Sequence, residues 1–403
     1  MSADREVWIT GIGLLTSLGN GPERNFAVLS GSASASPEMC GSVAGYPVHR
    51  LCDVEFAEHI PSRSELRQMG QWQRIGVSAA SLALKDAGLL GEYDTLQSVE
   101  LAVAAGNGER DMALDAAILQ GLRHVDTPGA YLNEALSRGL RPTLYLGELS
   151  NLLAGNIQII LKVAGSSRTF KGEEMAGLAC VEDAWRRIVA GQAEIALVGG
   201  ALNAEREDLL LGFELGCNLW PRQFAPVWHR RPNGGGFVPG SGGVFLVLEA
   251  SAHARSRGVR PYAAIADVAS DCSARKPGEA GAALSCLMDR VCADTSASRL
   301  IVLSGASGAE PATSEELEVL RAKEAIIRCY GTKLGHSVEA HLPLGIALGA
   351  MALSRGSFYP PFDDPDIEFP FHDVPRDVLV TSVGHWRGEG VVKLAGVVPG
   401  QSR

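Results

Sequence analysis

The chain has 403 residues, 46% of them hydrophobic and 20% charged, with 47 Gly and 20 Pro; that is enough for one large core or for two fused domains of roughly 150–200 residues each. A net charge of −10 at pH 7 argues against nucleic acid or an anionic membrane surface as partner, because both are met by basic patches. The cysteines at 40, 52, 180, 217, 272, 286, 292 and 329 form no CxxC pair and have no paired His, so no metal and no other cofactor is expected, and reduced, packed thiols suit a cytoplasmic protein.

The opening "MSADREVWITGIG" lacks a basic stretch followed by an apolar one, so no secretory signal is expected. Within it, "EVWITGIG" (6–13) predicts a strand ending in a Gly turn, and the Ser/Ala-rich "SGSASASP" (30–37) predicts a loop. "RIGVSAASLALKDAGL" (74–89) predicts an Ala-rich amphipathic helix closed by Gly88, and "VELAVAAGNG" (99–108) a buried strand running into a Gly loop. A helix follows at 147–165, then strands at 193–204 and 242–250. After about residue 255 the pattern restarts, with a strand at 262–270, a helix near 279–293, a strand at 299–307, helices near 313–327 and 338–353, and strands at 378–384 and 390–398. The Pro-rich "FYPPFDDPDIEFPFHDVP" (358–375) predicts a loop. Continuous apolar strands separated by helices indicate sheets covered on both faces. The restart predicts two α/β halves, residues 1–255 and 256–403. No apolar run reaches the roughly 18 residues a membrane helix needs.

One stretch carries chemistry at an unusual place. "GSSRTFKGEEMAGLACVEDAW" (165–185) passes from a β-like run through a Gly turn into a helix, with Met175, Leu178, Val181 and Trp185 at helical spacing. Catalytic nucleophiles profit from such a helix start. Here Glu173 and Glu174 occupy it.

Several segments together resemble β-ketoacyl synthases, the condensing enzymes of fatty acid and polyketide assembly. They are "VWITGIGLLTSLGNG", "SLALKDAGL", "LSNLLAGNIQ", "AEIALVGGA", "GGGFVPGSGGVFLVLE" and "HARSRGVRPYAAI", in that family's order and at its approximate spacing over nearly the whole chain. "GGGFVPGSGG" leads into a strand and lacks the P-loop Lys, so it is not a phosphate-binding loop. The resemblance implies a thiolase-like fold: two similar α/β halves packed as a five-layer αβαβα sandwich, with dimerisation extending the sheet.

The family's reaction uses a Cys that takes the acyl chain as a thioester and two His residues that stabilise the enolate formed as malonyl loses CO2. Matching the elbow on Gly177–Leu178 puts Glu174 at the Cys position. Matching "ASGAEPATSEELE" with Glu318 as the downstream acid puts Ser307 at the first His. "GHSVEAHLPLGIALGAMAL" retains the second His as His336, while Lys333 lies three residues before it rather than five. "GHWRGEG" (384–390) puts His385 where a Phe gates the pocket, with Phe170 as a second gate residue on the strand that the family places at its dimer seam.

A carboxylate is a weak nucleophile, and its acyl anhydride would hydrolyse. Cys180, a packed helix thiol, and Cys217, a loop thiol, do not replace it. His229, Arg230 and Arg231 form a basic loop, solvated or facing an acidic carrier protein. A Gln at the Cys position, as in decarboxylating initiators, donates a hydrogen bond to the enolate; an ionised Glu has no donor and repels it. The resemblance therefore implies a non-condensing chain length factor. Its partners would be an active ketosynthase, in a heterodimer, and an acyl carrier protein. Met112, Ala116 and Leu119, at near-helical spacing, would line the tunnel or interface. The alternatives are a malonyl-carrier-protein decarboxylase and a non-enzymatic acyl-binding homodimer.

Overall fold

The computed structural model describes residues 5–34, 40–140, 146–293 and 299–397. Its first strand, β1 (Val7–Thr16), is buried along its whole length. It pairs at its far end with β2 (Gly19–Asn20), and β3 (Cys40–Val43) and β4 (Tyr46–His49) form a separate hairpin. The main sheet is completed by β5 (Glu100–Ala104), β6 (Ser167–Phe170), β7 (Ile195–Leu202), β8 (Gly242–Ala250), β9 (Ala263–Asp271), β10 (Ile301–Ser304), β11 (Ile326–Cys329), β12 (Asp377–Val383) and β13 (Glu389–Ala395).

The strand order is β6-β5-β7-β8-β1-β9-β13-β12-β10-β11. From either edge the pairings run parallel, parallel, antiparallel, antiparallel. The two series meet where Val7–Ile9 pairs antiparallel with Ala263–Ile265. Each series is thus a five-stranded repeat of the other.

Helices fill the space on both sides. α1 (Gln71–Asp86), α2 (Met112–Leu122), α3 (Pro128–Gly139), α4 (Leu152–Leu161), α5 (Glu174–Val189), α6 (Glu207–Leu215), α7 (Glu279–Val291), α8 (Ala312–Ala322) and α9 (His341–Arg355) are the longer ones used below. α5 and α9 pack on each other and on strands of both repeats, which makes them the central layer. α1 and α4 cover one outer face, and α7 and α8 the other. This is the expected thiolase-like sandwich.

Small residues set the close approaches. A Cβ on Gly13 of β1 would lie 1.8 Å from the carbonyl oxygen of Ala79 in α1, so the Ala-rich face of α1 can sit directly on the strand. Gly88, at φ 67°, closes that helix as expected. In α5, a Cβ on Gly177 would lie 2.4 Å from the Glu339 carbonyl. The helix start and the turn before α9 are thereby held together.

The boundaries differ where tertiary contacts decide them. The 99–108 strand stops at Ala104, because Arg206 takes the carbonyls of Asn107 and Gly108 at 3.0 and 2.7 Å. The 147–165 helix is only Leu152–Leu161, ended by Lys162 in the left-handed region. The 313–327 helix ends at Ala322, and Ile326–Cys329 is instead the edge strand β11. Helix periodicity had absorbed that short apolar run. Residues 358–375 contain no helix or strand, as expected; of the loop at 30–37, positions 35–37 lie outside the described residues.

Candidate active site

β6 ends at Phe170, Gly172 turns the chain, and Glu173 takes φ 57° and ψ −132° before α5 starts at Glu174. A non-Gly residue held there is strained, and such strain persists only where surrounding structure enforces it. The elbow delivers the Glu174 side chain to the interior, where it is 2% exposed.

Two imidazoles close on that carboxylate. His336 Nε2 lies 2.9 Å from Oε1, and His385 Nδ1 lies 2.9 Å from Oε1 and 3.2 Å from Oε2. The His385 backbone N–H adds a bond to Oε1 at 3.2 Å. Burial alone would raise the Glu174 pKa, but the bonds from His336 and His385 outweigh it and hold the group well below the ordinary carboxylate range. Glu174 is thus ionised and purely an acceptor, so both facing ring nitrogens carry protons. For His385, burial favours the neutral ring, yet the bond to Glu174 and the charges of Glu174 and Glu173 win and raise its pKa.

Each imidazole is fixed by its own element. His336 donates its amide to Val238 and accepts from Gly240. His385 sits between β12 and β13, on a loop whose Gly384 and Gly388 carbonyls accept from Arg275 Nη2 at 2.6 and 3.1 Å; Arg275 is itself paired with buried Glu389. Phe237 packs against both rings, with centroids 5.0 and 5.6 Å away, and Phe213 of α6 lies 6.3 Å from His385. Outside the cluster, Glu173 accepts from the indole of exposed Trp386.

The structure therefore joins Glu174, His336 and His385. It keeps Ser307 apart in its own turn: the hydroxyl accepts from the Ala309 amide at 3.1 Å, and the carbonyl faces Arg230 Nη2 at 3.4 Å. Phe170 is half-buried against the main core. Met112, Ala116 and Leu119 of α2 are exposed; Ile118 is the buried member of that helix. They do not line an interior passage of this chain. The expected downstream acid, Glu318, is also exposed, and Glu316 is the buried one, accepting from Ser304 and Thr381 at 2.6 Å each. The basic loop is corrected as well: Arg230 is buried, while His229 pairs with Asp363 and Arg231 with Glu310.

Three groups were missed in the sequence. His341 opens α9 and meets His336 edge to face with ring centroids 4.4 Å apart, its pKa lowered by burial and then by His336. Glu339 is buried, and burial, with the nearby charges of Glu174 and Glu173, pushes its pKa up to about 7. His49 is fully buried, and burial with the charges of Arg230 and Lys333 pushes it down to about 3. Only "HSVEAH" carried a visible signal, through the i, i+5 His spacing. Cys180 is a buried helix thiol that bonds the Ala102 carbonyl, its pKa raised by burial, and Cys217 is exposed. Among the described residues, donor atoms of Glu173, Glu174 and His385 lie within 4.8 Å of one another, a set a divalent cation could use. In the chain as it stands they are engaged with each other and with Trp386.

The model of the β-ketoacyl synthase N-terminal domain matches residues 4–254. The chain belongs to the β-ketoacyl synthase family. The 3-oxoacyl-[acyl-carrier-protein] synthase 2 of Vibrio cholerae is 28% identical over 276 residues, which is 65% of this chain and 62% of that protein. The chain thus spans about three fifths of that relative's length. The protein provisionally named oxytetracycline polyketide β-ketoacyl synthase 1 of Streptomyces rimosus is 26% identical over 94% of this chain and 93% of its own. Among solved structures, the ishigamide ketosynthase/chain length factor has a TM-score of 0.80 at 22% identity, covering 98% of this chain and all of that one. The AntDE:AntF complex, a type II polyketide synthase carrier protein with its ketosynthase, has a TM-score of 0.71 at 15% identity, with the same coverage. At these identities the two structures establish the shared fold. No helix among the described residues is long and apolar enough to cross a membrane.

Proposed function

We propose that this chain is a non-condensing member of the family, a chain length factor that pairs with an active β-ketoacyl synthase and shapes its acyl tunnel, with acyl carrier protein serving the pair. The observation that carries this reading is the Glu174 carboxylate, ionised and held by both imidazoles. A carboxylate is a weak nucleophile whose acyl anhydride would hydrolyse, and three donors on Oε1 draw its charge further into hydrogen bonds. It also opposes decarboxylation, since it repels both the malonyl carboxylate and the enolate.

The flank beside the site supports pairing. β6 is an edge strand. Met112, Leu119, Leu132, Leu136, Leu149 and Ile159, all exposed, lie on the segments between β5 and β6. These side chains offer a partner apolar groups to cover, and partner interfaces of obligate complexes bury about 2,000 Å² or more.

The test is co-expression with an intact ketosynthase and mass analysis of carrier-bound products. Ala116→Trp is expected to shorten the product while the complex still forms, and Met112→Ala or Leu119→Ala to lengthen it. Product length indifferent to all three overturns the chain-length role. CO2 release from malonyl-carrier protein that depends on Glu174 selects the decarboxylase instead, and a stable homodimer that ignores the ketosynthase selects the acyl-binding alternative.

A further inference from the structure

We propose that His336, His385 and the His385 amide form a carboxylate-binding site, and that Glu174 is its built-in ligand. Three donors from outside α5 converge on one oxygen: His336 Nε2 at 2.9 Å, His385 Nδ1 at 2.9 Å and the His385 N–H at 3.2 Å. The second oxygen takes His385 Nδ1 at 3.2 Å. Charge-assisted bonds of this number are what a planar monoanion needs when water is excluded, and Glu174 is 2% exposed.

The donors stand on elements other than α5. His336 is pinned by the backbone of Val238 and Gly240, and the His385 loop by Arg275 across the Gly384 and Gly388 carbonyls. Phe237 packs on both rings and limits their rotation. Truncating Glu174 to Ala removes Cγ, Cδ and both oxygens. Those are the atoms of acetate, so the truncation leaves a hole of acetate's shape with donors still aimed into it. The groups around it are Glu173, Glu339, His341 and Arg275; two of these are acids, which disfavour dianions. The ligand class is therefore a small monocarboxylate, acetate or formate. In the native chain the site is closed to it, because the internal carboxylate is present at an effective concentration no solute matches. The anion-binding machinery is then masked rather than lost, which goes beyond the pairing role and requires no partner subunit.

The experiment follows thermal unfolding of the full chain in acetate against chloride at equal ionic strength. For Glu174→Ala, acetate is expected to raise the midpoint saturably, with half-saturation in the millimolar range and a shift of about 2 °C at tenfold excess. Wild type and the double variant Glu174→Ala/His385→Phe are expected to shift at least tenfold less. If Glu174→Ala does not fold alone, refolding with acetate or chloride is the readout, and recovery with acetate only supports the site. An acetate effect equal to that of chloride, equal in the double variant, or absent from refolding overturns it.

Discussion

The buried elbow and the exposed flank treat the same residue classes in opposite ways. At the elbow, charged groups lie inside, and the carboxylate of Glu174 meets two imidazoles and an amide. Along α2 and α3, large apolar groups lie outside, with Leu119 63% exposed and Leu132 and Leu136 38% each. A polar cluster costs little inside only when every charge is matched, and an apolar face costs little outside only when something covers it. The interior cluster is closed, while the surface beside it presents apolar side chains to solvent.

The contrast is most easily disrupted at Glu174. Glu174→Ala is expected to destabilise the chain by about 3–5 kcal/mol, the effect of removing one partner from a buried ion pair, measured by denaturant unfolding without added carboxylate. Loss below about 1 kcal/mol, the size of an ordinary surface change, would mean the cluster is not structural.

The flank is tested next. Leu119→Asp with Leu136→Asp is expected to weaken pairing with a ketosynthase by more than tenfold, because centrally placed apolar contacts dominate interfaces. The stability of the isolated chain should move by no more than about 0.5 kcal/mol per site. Sedimentation of the mixed proteins and unfolding of the single one separate the two effects. A large loss of intrinsic stability would place these residues in the fold rather than at an interface.

A smaller effect is the pH dependence of the elbow. The folded pKa of His385 is raised, so its contribution is present below about 6.5 and lost as pH rises through the folded value. Glu339 is raised to about 7, and its contribution likewise fades as pH climbs from the ordinary carboxylate range through 7. Glu174 is lowered, so its contribution is lost only on the acid side, as pH falls through its folded value. His49 and His341, both lowered by burial, make stability rise as pH climbs toward about 6.5, so the His385 contribution is read as a decline above about pH 6.5. His385→Phe should flatten the upper part of that curve. A wild-type curve above about pH 6.5 that falls no more steeply than that of His385→Phe is the contrary result.

The smallest expected effect is none at all. Glu174→Cys alone should restore no condensation, because Ser307 has no imidazole and its hydroxyl is turned to the Ala309 amide. Incubation with acyl-carrier and malonyl-carrier protein gives the answer, and substantial turnover would contradict the placement of Ser307.

Most of the scaffold is legible along the chain. Unbroken apolar runs such as "VWITGIG" and "GGVFLVLEA" read as strands covered on both sides, while the repeated pairing pattern on either side of β1 and β9 is visible only in the sheet. Glu174, His336 and His385 also stand out in the sequence, as an odd set of residue types in a familiar frame. That these three touch is settled by the packing alone, since the two imidazoles lie 162 and 211 positions from Glu174 and no local periodicity reports such a contact. The same holds for Arg230 and Glu316, which are buried, and for Glu318 and Leu119, which are exposed. Burial of a charge depends on whether a distant element brings it a partner or a cover, and that information resides in the packing of the two halves rather than in the spacing along either one.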